Sequence, residues 1–186
     1  MSSSLFSARD YAPTISKSIL NGSLRINRCS SRISIIKSTI KNWVQFFNLN
    51  SKGLIFNKNI FEETVTIKSS TIDSWSIIGD TFNKKLEYEN FNDEEGNKEC
   101  YLKRLWIANA DFIEGADIRG RGKSIEFIRL PITPDLKGVL RIQNWRVAEL
   151  NISGINQNLK LLLCQMSIRT LKMIEFTNYA DVTFER

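Results

Sequence analysis

The chain has 186 residues, of which 42% are hydrophobic and 25% are charged, a composition typical of one globular domain with a buried core. It contains no histidine, and its three cysteines, Cys29, Cys100 and Cys164, form no CxxC pair, which excludes histidine-based zinc sites, Ser-His triads and Cys-His dyads within this sequence. No apolar run approaches the ~20 residues of a membrane span, and Arg9 and Asp10 interrupt any signal-peptide core, so we expect a cytoplasmic protein with reduced cysteines.

The formal net charge of +6 is concentrated in the first third of the chain. Residues 1–60 carry nine lysines and arginines against one acid, which gives +8, whereas residues 61–186 carry 17 basic and 19 acidic residues, which gives −2. Such a basic segment suits an acidic partner, nucleic acid or a membrane surface, and equally suits a solvated face. We take Arg25, Arg28 and Arg32 as candidate polyanion contacts, although no RNA-binding signature, zinc finger or recognition helix accompanies them.

The first predicted element is a short helix. Thr14 to Asn21 follows Pro13 and precedes Gly22, which favours a helix that ends on a glycine C-cap. We therefore interpret residues 1–23 as a cap segment that covers the first coil of the repeat that follows.

From residue 24 onward, the dominant pattern is a pair of apolar residues separated by one residue, recurring about every ten residues. This alternation places both side chains on the same face of a strand. The pairs are Leu24/Ile26, Ile33/Ile35, Val44/Phe46, Leu54/Phe56, Val65/Ile67, Trp75/Ile77, Leu86/Tyr88, Leu105/Ile107, Ala116/Ile118, Ile125/Phe127, Leu140/Ile142, Leu150/Ile152, Leu161/Leu163, Leu171/Met173 and Val182/Phe184.

Some of these pairs carry a third apolar residue seven positions after the first. The segments 33–40, 65–72 and 75–82 are near-copies of one such octamer. Within groups, most of the extended units repeat every 20 or 21 residues, which indicates a coil of that length with two strand segments of different character. A fixed period of this kind is typical of a solenoid, in which each coil buries its apolar face against the next.

Two segments interrupt the repeat domain, which we assign to residues 24–186. Residues 91–100 are polar and acidic, and residues 130–136 contain two prolines, which cannot donate to a central ladder, so we predict a loop near each. The pattern continues to the last residue, Arg186, without an obvious cap. We expect either that the chain is a fragment or that its last coil is covered by a protein partner or by a second copy.

The repeat resembles the right-handed parallel β-helix, including pentapeptide-repeat proteins. Residues 110–112 (Ala-Asp-Phe) and 116–118 (Ala-Asp-Ile) look like that family's small-polar-aliphatic step, although they are six residues apart instead of five. A weaker resemblance connects residues 54–61 with the LxLxxNxL core of leucine-rich repeats, but Asn59 is not repeated in the other units. The resemblance implies an all-β parallel solenoid, and the alternative is an antiparallel sandwich or meander, which has similar strand spacing.

The candidate site residues carry no convincing chemistry. Many parallel β-helices act on polysaccharides through carboxylates, so Asp111 and Asp117, with Glu114 between them, are weak catalytic candidates that are equally suited to turns. Trp43 and Trp106 lie beside the inward positions, where an outward ring suits contact with sugar or protein. We expect no metal and no cofactor.

Three functional hypotheses remain open at this point. The leading one is a non-enzymatic interaction or scaffold protein that uses the repetitive solenoid surface. The second is a carbohydrate-active or carbohydrate-binding β-helix, and the third is a binder of an acidic partner or nucleic acid through the basic N-terminal third.

Overall fold

In the computed structural model, the chain forms an all-β parallel solenoid of about seven turns, with coils of about 21 residues. The structure describes residues 4–6 (backbone only), 12–90, 100–134, 136–156, 158–178 and 182–185. All strand pairings among these residues are parallel, which excludes the antiparallel sandwich or meander.

The described residues form 20 strands, which are short in the N-terminal coils and longer in most of the later ones. They are β1 Ser4–Phe6, β2 Thr14–Ser16, β3 Ile19–Leu20, β4 Leu24–Asn27, β5 Ile33–Ile36, β6 Thr39–Ile40, β7 Val44–Phe47, β8 Asn50–Ser51, β9 Leu54–Asn57, β10 Ile60–Phe61, β11 Val65–Lys68, β12 Thr71–Ile78, β13 Thr81–Phe82, β14 Leu86–Glu89, β15 Leu102–Ala108, β16 Asp111–Ile132, β17 Lys137–Asn156, β18 Asn158–Cys164, β19 Ser167–Asn178 and β20 Val182–Glu185.

Each regular coil contains four strand segments instead of the two that the sequence suggested. In the coil that starts at Val44, a four-residue strand (β7) is followed by a two-residue strand (β8), a second four-residue strand (β9) and a second two-residue strand (β10). The chain then returns so that Val65 lies over Val44. We call these segments the first long, first short, second long and second short strands of a coil.

The apolar pairs of the sequence form continuous buried rows along the solenoid axis. In the first long strands, Phe46, Ile67 and Tyr88 are aligned in register, and all three are almost completely buried. The third apolar residue of the extended units is the inward residue of a short strand, as for Phe61 and Phe82, whose stacked rings lie 4.8 Å apart. Burial of one such side chain stabilises the fold by about 2 kcal/mol.

A residue in the left-handed backbone conformation follows the second long strand in five coils. The φ angles are 50° at Lys17, 50° at Lys37, 56° at Lys58, 68° at Gly79 and 53° at Asn109. The backbone N–H groups of the first four donate to carbonyl oxygens of the next coil at 2.8 to 3.0 Å. These turns therefore stack in a single column along the solenoid.

The predicted helix from Thr14 to Asn21 is wrong, since residues 14–16 and 19–20 form strands β2 and β3. The positive φ of Lys17 is incompatible with a helix, and this turn lets Ile15 and Leu20 pack against the core. The N–H of Lys17 bonds to the carbonyl of Ile36 in the next coil at 3.0 Å. These residues belong to the repeat itself, and the described residues contain no helix.

Two further sequence predictions are corrected by the register of β16. Strand β16 continues through Pro131, which is aligned with Ser153. The loop predicted for 130–136 therefore begins only at Thr133. The predicted inward pair Ile125/Phe127 is also wrong, because the register between β16 and β17 shifts after Arg119 and changes which residues face inward. Ile125 is the inward residue of a short strand, while Phe127 is only partly buried. Residues 91–99 of the other predicted loop lie outside the described residues.

Candidate functional site

The N-terminal coils present a uniformly basic surface. Residues 12–61 contain no acidic residue, so we call this segment the basic coils. All eight of its cations are solvent-exposed, and none forms an ion pair with another described residue. They are Lys17, Arg25, Arg28, Arg32, Lys37, Lys41, Lys52 and Lys58.

Three of these cations stack in consecutive coils. Lys17, Lys37 and Lys58 occupy the column of left-handed turns after the second long strand, and we call them the lysine ladder. Neighbouring parallel strands lie about 4.8 Å apart, so the ladder repeats a positive charge at about that interval. In the next two coils the same position holds Gly79 and Asn109, which tolerate this backbone conformation well.

The lysine ladder is therefore unfavourable for folding in two ways. A side chain with a Cβ in the left-handed region costs about 1 kcal/mol, which glycine avoids and asparagine partly offsets. Stacked like charges also repel each other at this separation. The sequence contains a signal for the ladder, namely a lysine two residues after an inward apolar residue at steps of 20 and 21, which the charge distribution alone does not reveal.

The three candidate arginines lie in one coil without stacking on other charges. Arg25 is outward on β4 and is aligned with the uncharged Gln45. Arg28 has a φ of 54° in the turn that follows β4. The side chain of Arg32 lies along Gly53, where a Cβ would be 3.4 Å from its Nε. Their role in binding remains a prediction.

A buried polar ladder lies beside the lysine ladder. The backbone N–H of Ser38 donates to Oδ1 of Asn59 at 2.9 Å, and the backbone N–H of Asn59 donates to Oδ1 of Asp80 at 2.8 Å. Asp80 Oδ2 also accepts the N–H of Ile78 at 2.9 Å. Desolvation nevertheless raises the pKa of Asp80 to about 7, with the hydrogen bonds opposing the shift. The ladder ends at Ala110, which follows the left-handed turn of the next coil and has no polar side chain.

This ladder explains the missing asparagine repeat. The leucine-rich-repeat pattern requires Asn in every unit. In this chain Ser, Asn and Asp side chains each accept a hydrogen bond from a backbone N–H of the preceding coil. Mixed residue types concealed the pattern in the sequence.

The two candidate tryptophans are both on the surface. Trp43 is 43% exposed at the start of a first long strand within the basic coils. Trp106 is 40% exposed on a second long strand, where the guanidinium of Arg129 lies 5.5 Å from its ring centroid. The exposure of both rings agrees with their predicted outward orientation, while a binding role stays a prediction.

The candidate carboxylates do not assemble into a pair for acid–base catalysis. Asp111 is on a short strand and accepts the backbone N–H of Lys137 at 3.2 Å. Asp117 is on the following long strand, where it binds Arg119 at 2.6 Å and Gln143 at 2.6 Å. Each carboxylate is therefore engaged in its own local contacts on a different segment of the coil.

The coil at the C-terminal end leaves its inward row open. Leu171, Met173 and Phe184 continue the buried rows of the preceding coils, yet they are 43%, 46% and 54% exposed. Strands β19 and β20 each pair with the preceding coil on one side, and no further described strand lies on the other.

Within the described ranges, there is no helix that could span a membrane. The same residues contain no group of three histidine, cysteine or acidic residues placed to hold a metal ion, and the three cysteines are buried and form no disulfide.

The fold and its surface define a parallel β-solenoid with a basic N-terminal part. Comparison with protein-family models, with curated proteins and with solved structures finds no match to this chain.

Proposed function

We propose that this chain is a non-enzymatic interaction protein whose basic coils bind an acidic macromolecule, with single-stranded nucleic acid as the favoured partner. The observation that carries the proposal is the lysine ladder together with the absence of any acid in residues 12–61. A regular row of cations matches a partner whose negative charges also repeat along an extended backbone.

The energetic disadvantage of the ladder supports this proposal. Glycine or asparagine would relieve the backbone strain at these turns, as at Gly79 and Asn109, and would also remove the repulsion. Left-handed residues other than glycine and asparagine also occur elsewhere in the chain, for example at Ser69, Gln165 and Glu175, so strain alone does not distinguish the ladder. The distinguishing feature is the same positive charge in three consecutive coils, which repulsion disfavours and a polyanion would neutralise.

Nucleic acid is favoured over an acidic protein because an aromatic ring accompanies the charge. Trp43 is exposed within the basic coils, and bases stack on exposed aromatic rings with little regard to sequence. Arg25 lies near it, since the adjacent Leu24 is aligned with Val44.

The test is fluorescence anisotropy with labelled single-stranded DNA and RNA at several salt concentrations. We expect the triple variant Lys17→Asn, Lys37→Asn, Lys58→Asn to weaken binding by at least about tenfold. The slope of log affinity against log salt concentration should fall by an amount that corresponds to about two to three fewer released counterions. A matched control that removes three cations elsewhere, at Lys85, Lys137 and Lys160, should change affinity little.

Binding that does not change with salt, or equal losses in the two triple variants, would overturn the proposal. Heparin and polyglutamate serve as competitors. Stronger competition by polyglutamate than by unlabelled DNA would assign the surface to an acidic protein instead.

A second proposal concerns partners at the C-terminal coil. We propose that a second copy of this chain covers the open row of Leu171, Met173 and Phe184, because apolar side chains and open strand edges occur there together. A two-fold arrangement would bring identical rows face to face. Sedimentation of the wild type and of Phe184→Asp tests it, and a monomer at all concentrations in both would contradict it.

The relationship to pentapeptide-repeat proteins also remains a proposal. It is supported by four strand segments in a coil of about 21 residues, or about five residues for each segment. The carbohydrate hypothesis receives no such support from the arrangement of Asp111 and Asp117.

A further inference from the structure

A second concentration of positive charge lies in the part of the chain that carries a net negative charge. A groove of about 840 Å³ runs along the first short strands of the later coils. Five cations line it, and Glu126 is the only acid among the described residues of its lining. The cations are Lys103, Arg121, Lys123, Arg146 and Arg169.

The register of the strands creates the recess between these cations. Arg146 is aligned with Ser124 in the preceding coil and with Ser167 in the following one. Together with Gly122 and Ala148, these serines give the groove a lining of small side chains between long ones. Long cationic side chains around small residues leave a depression in which an anion can contact several of them at once.

Several of these cations already have partners. Arg121 binds Glu89 at 2.6 Å, and Lys103 binds Asp73 at 2.8 Å. The acid in the lining, Glu126, is directed to Arg104, at 3.6 Å. Arg121 and Lys103 are thereby held in place at the margin of the groove, where their charges still contribute to its potential.

Arg146 and Arg169 differ from the others. Both are exposed, and neither forms an ion pair or a side-chain hydrogen bond with another described residue. Arg169 follows Ile168, which is aligned with Val147, so the two arginines lie on neighbouring strands. Two free guanidinium groups on adjacent strands present paired N–H donors of the kind that bind phosphate oxygens.

We infer that this groove binds a small molecule that carries two or more phosphate groups, with Arg146 and Arg169 as the principal contacts. The ligand class follows from the charge and the size of the site. One phosphate would occupy only part of the groove, and the five cations that line it favour a ligand with several negative charges. The site is separate from the basic coils, because its lining residues lie between 101 and 169.

Isothermal titration calorimetry at physiological salt with inorganic tripolyphosphate tests the inference. We expect saturable binding by the wild type. Because each charge-assisted contact contributes about a tenfold factor, Arg146→Ser and Arg169→Ser should each raise Kd about tenfold, and together about a hundredfold. Circular dichroism checks that these variants fold. Parallel titrations with ATP and with fructose 1,6-bisphosphate distinguish a nucleotide from a sugar phosphate as the source of the phosphates.

The matched control is Lys85→Ser with Lys137→Ser, which removes the same charge outside the groove. Absence of saturable binding for all three probes, or an equal loss in the control, would overturn the inference. The lysine-ladder variant should retain tripolyphosphate affinity, and Arg146→Ser with Arg169→Ser should retain binding to single-stranded DNA. Failure of one site is thereby distinguishable from failure of the other.

Discussion

Asp80 should make the folding stability of this chain depend on pH. Asp80 is 1% exposed, and burial raises the pKa of its carboxyl from the ordinary value of 3.8 to about 7. The chain has no histidine, so no other side chain with an ordinary pKa titrates between about pH 5 and pH 7. A change in stability across this window is therefore attributable to one carboxyl group.

The direction of the effect follows from proton linkage. Between about pH 4 and pH 7 the folded chain holds a proton on Asp80 that the unfolded chain has released, so stability falls as pH rises through this range and is level above it. One pKa unit corresponds to about 1.4 kcal/mol, so raising the pH from 5 to 8 removes up to about 3 kcal/mol. In a chain of this length each kcal/mol shifts Tm by about 2–4 °C, which gives a decrease of about 6–12 °C.

Thermal unfolding followed by circular dichroism at pH 5 and pH 8, at constant ionic strength, measures this difference. Asp80→Asn cannot ionise, so this variant should have nearly the same Tm at both pH values, although its amide cannot replace both carboxylate oxygens as acceptors. Asp111→Asn is the matched control, since Asp111 is only partly buried and lies in the next coil, and this variant should keep the wild-type pH dependence. Equal Tm values for the wild type at both pH values, or an unchanged decrease in Asp80→Asn, would refute the reasoning.

Three further substitutions test the packing and the ladder. Gly120→Ala would place a Cβ 2.2 Å from Cδ2 of the buried Trp145, so the free energy of unfolding in urea should fall by about 1–3 kcal/mol. Gly53→Ala, whose nearest contact would be at 3.3 Å, should lose less, and equal losses would contradict the close packing. Phe82→Ala removes a ring from the stacked column and should destabilise the fold by about 3–5 kcal/mol in the same assay, and a loss below about 1 kcal/mol would count against that column. Lys37→Asn should raise stability by about 0.5–1 kcal/mol while weakening DNA binding, and a less stable variant would argue against backbone strain at this turn.

Local pattern was enough to predict the class of fold. The pairs Val44/Phe46 and Val65/Ile67 are inward and buried as expected, because alternation along a strand depends only on backbone geometry. The turns between strands were also readable from their polar residues. The helix predicted at Thr14 failed because local capping signals were outweighed by hydrogen bonds to the next coil.

The candidate site was predictable only in part. The basic character of residues 1–60 followed from composition, and Arg25, Arg28 and Arg32 were named from it. Which cations stack could not be read from charge, because the answer depends on the number of residues in each intervening turn.

The sequence by itself determined that apolar residues recur in strand-like pairs at a period of about one coil, since that property belongs to short segments of chain. Only the tertiary structure decided which residues lie over one another. The coils differ in length, and the residues aligned in successive first long strands are 24, 44, 65, 86, 116 and 140, so equal positions cannot be assigned by counting. The buried ladder that ends in Asp80 and the groove at Arg146 arise from contacts between coils, which the free energy of packing fixes. The lysine ladder has a spacing signal in the sequence, but only the register between coils shows that these lysines form one column.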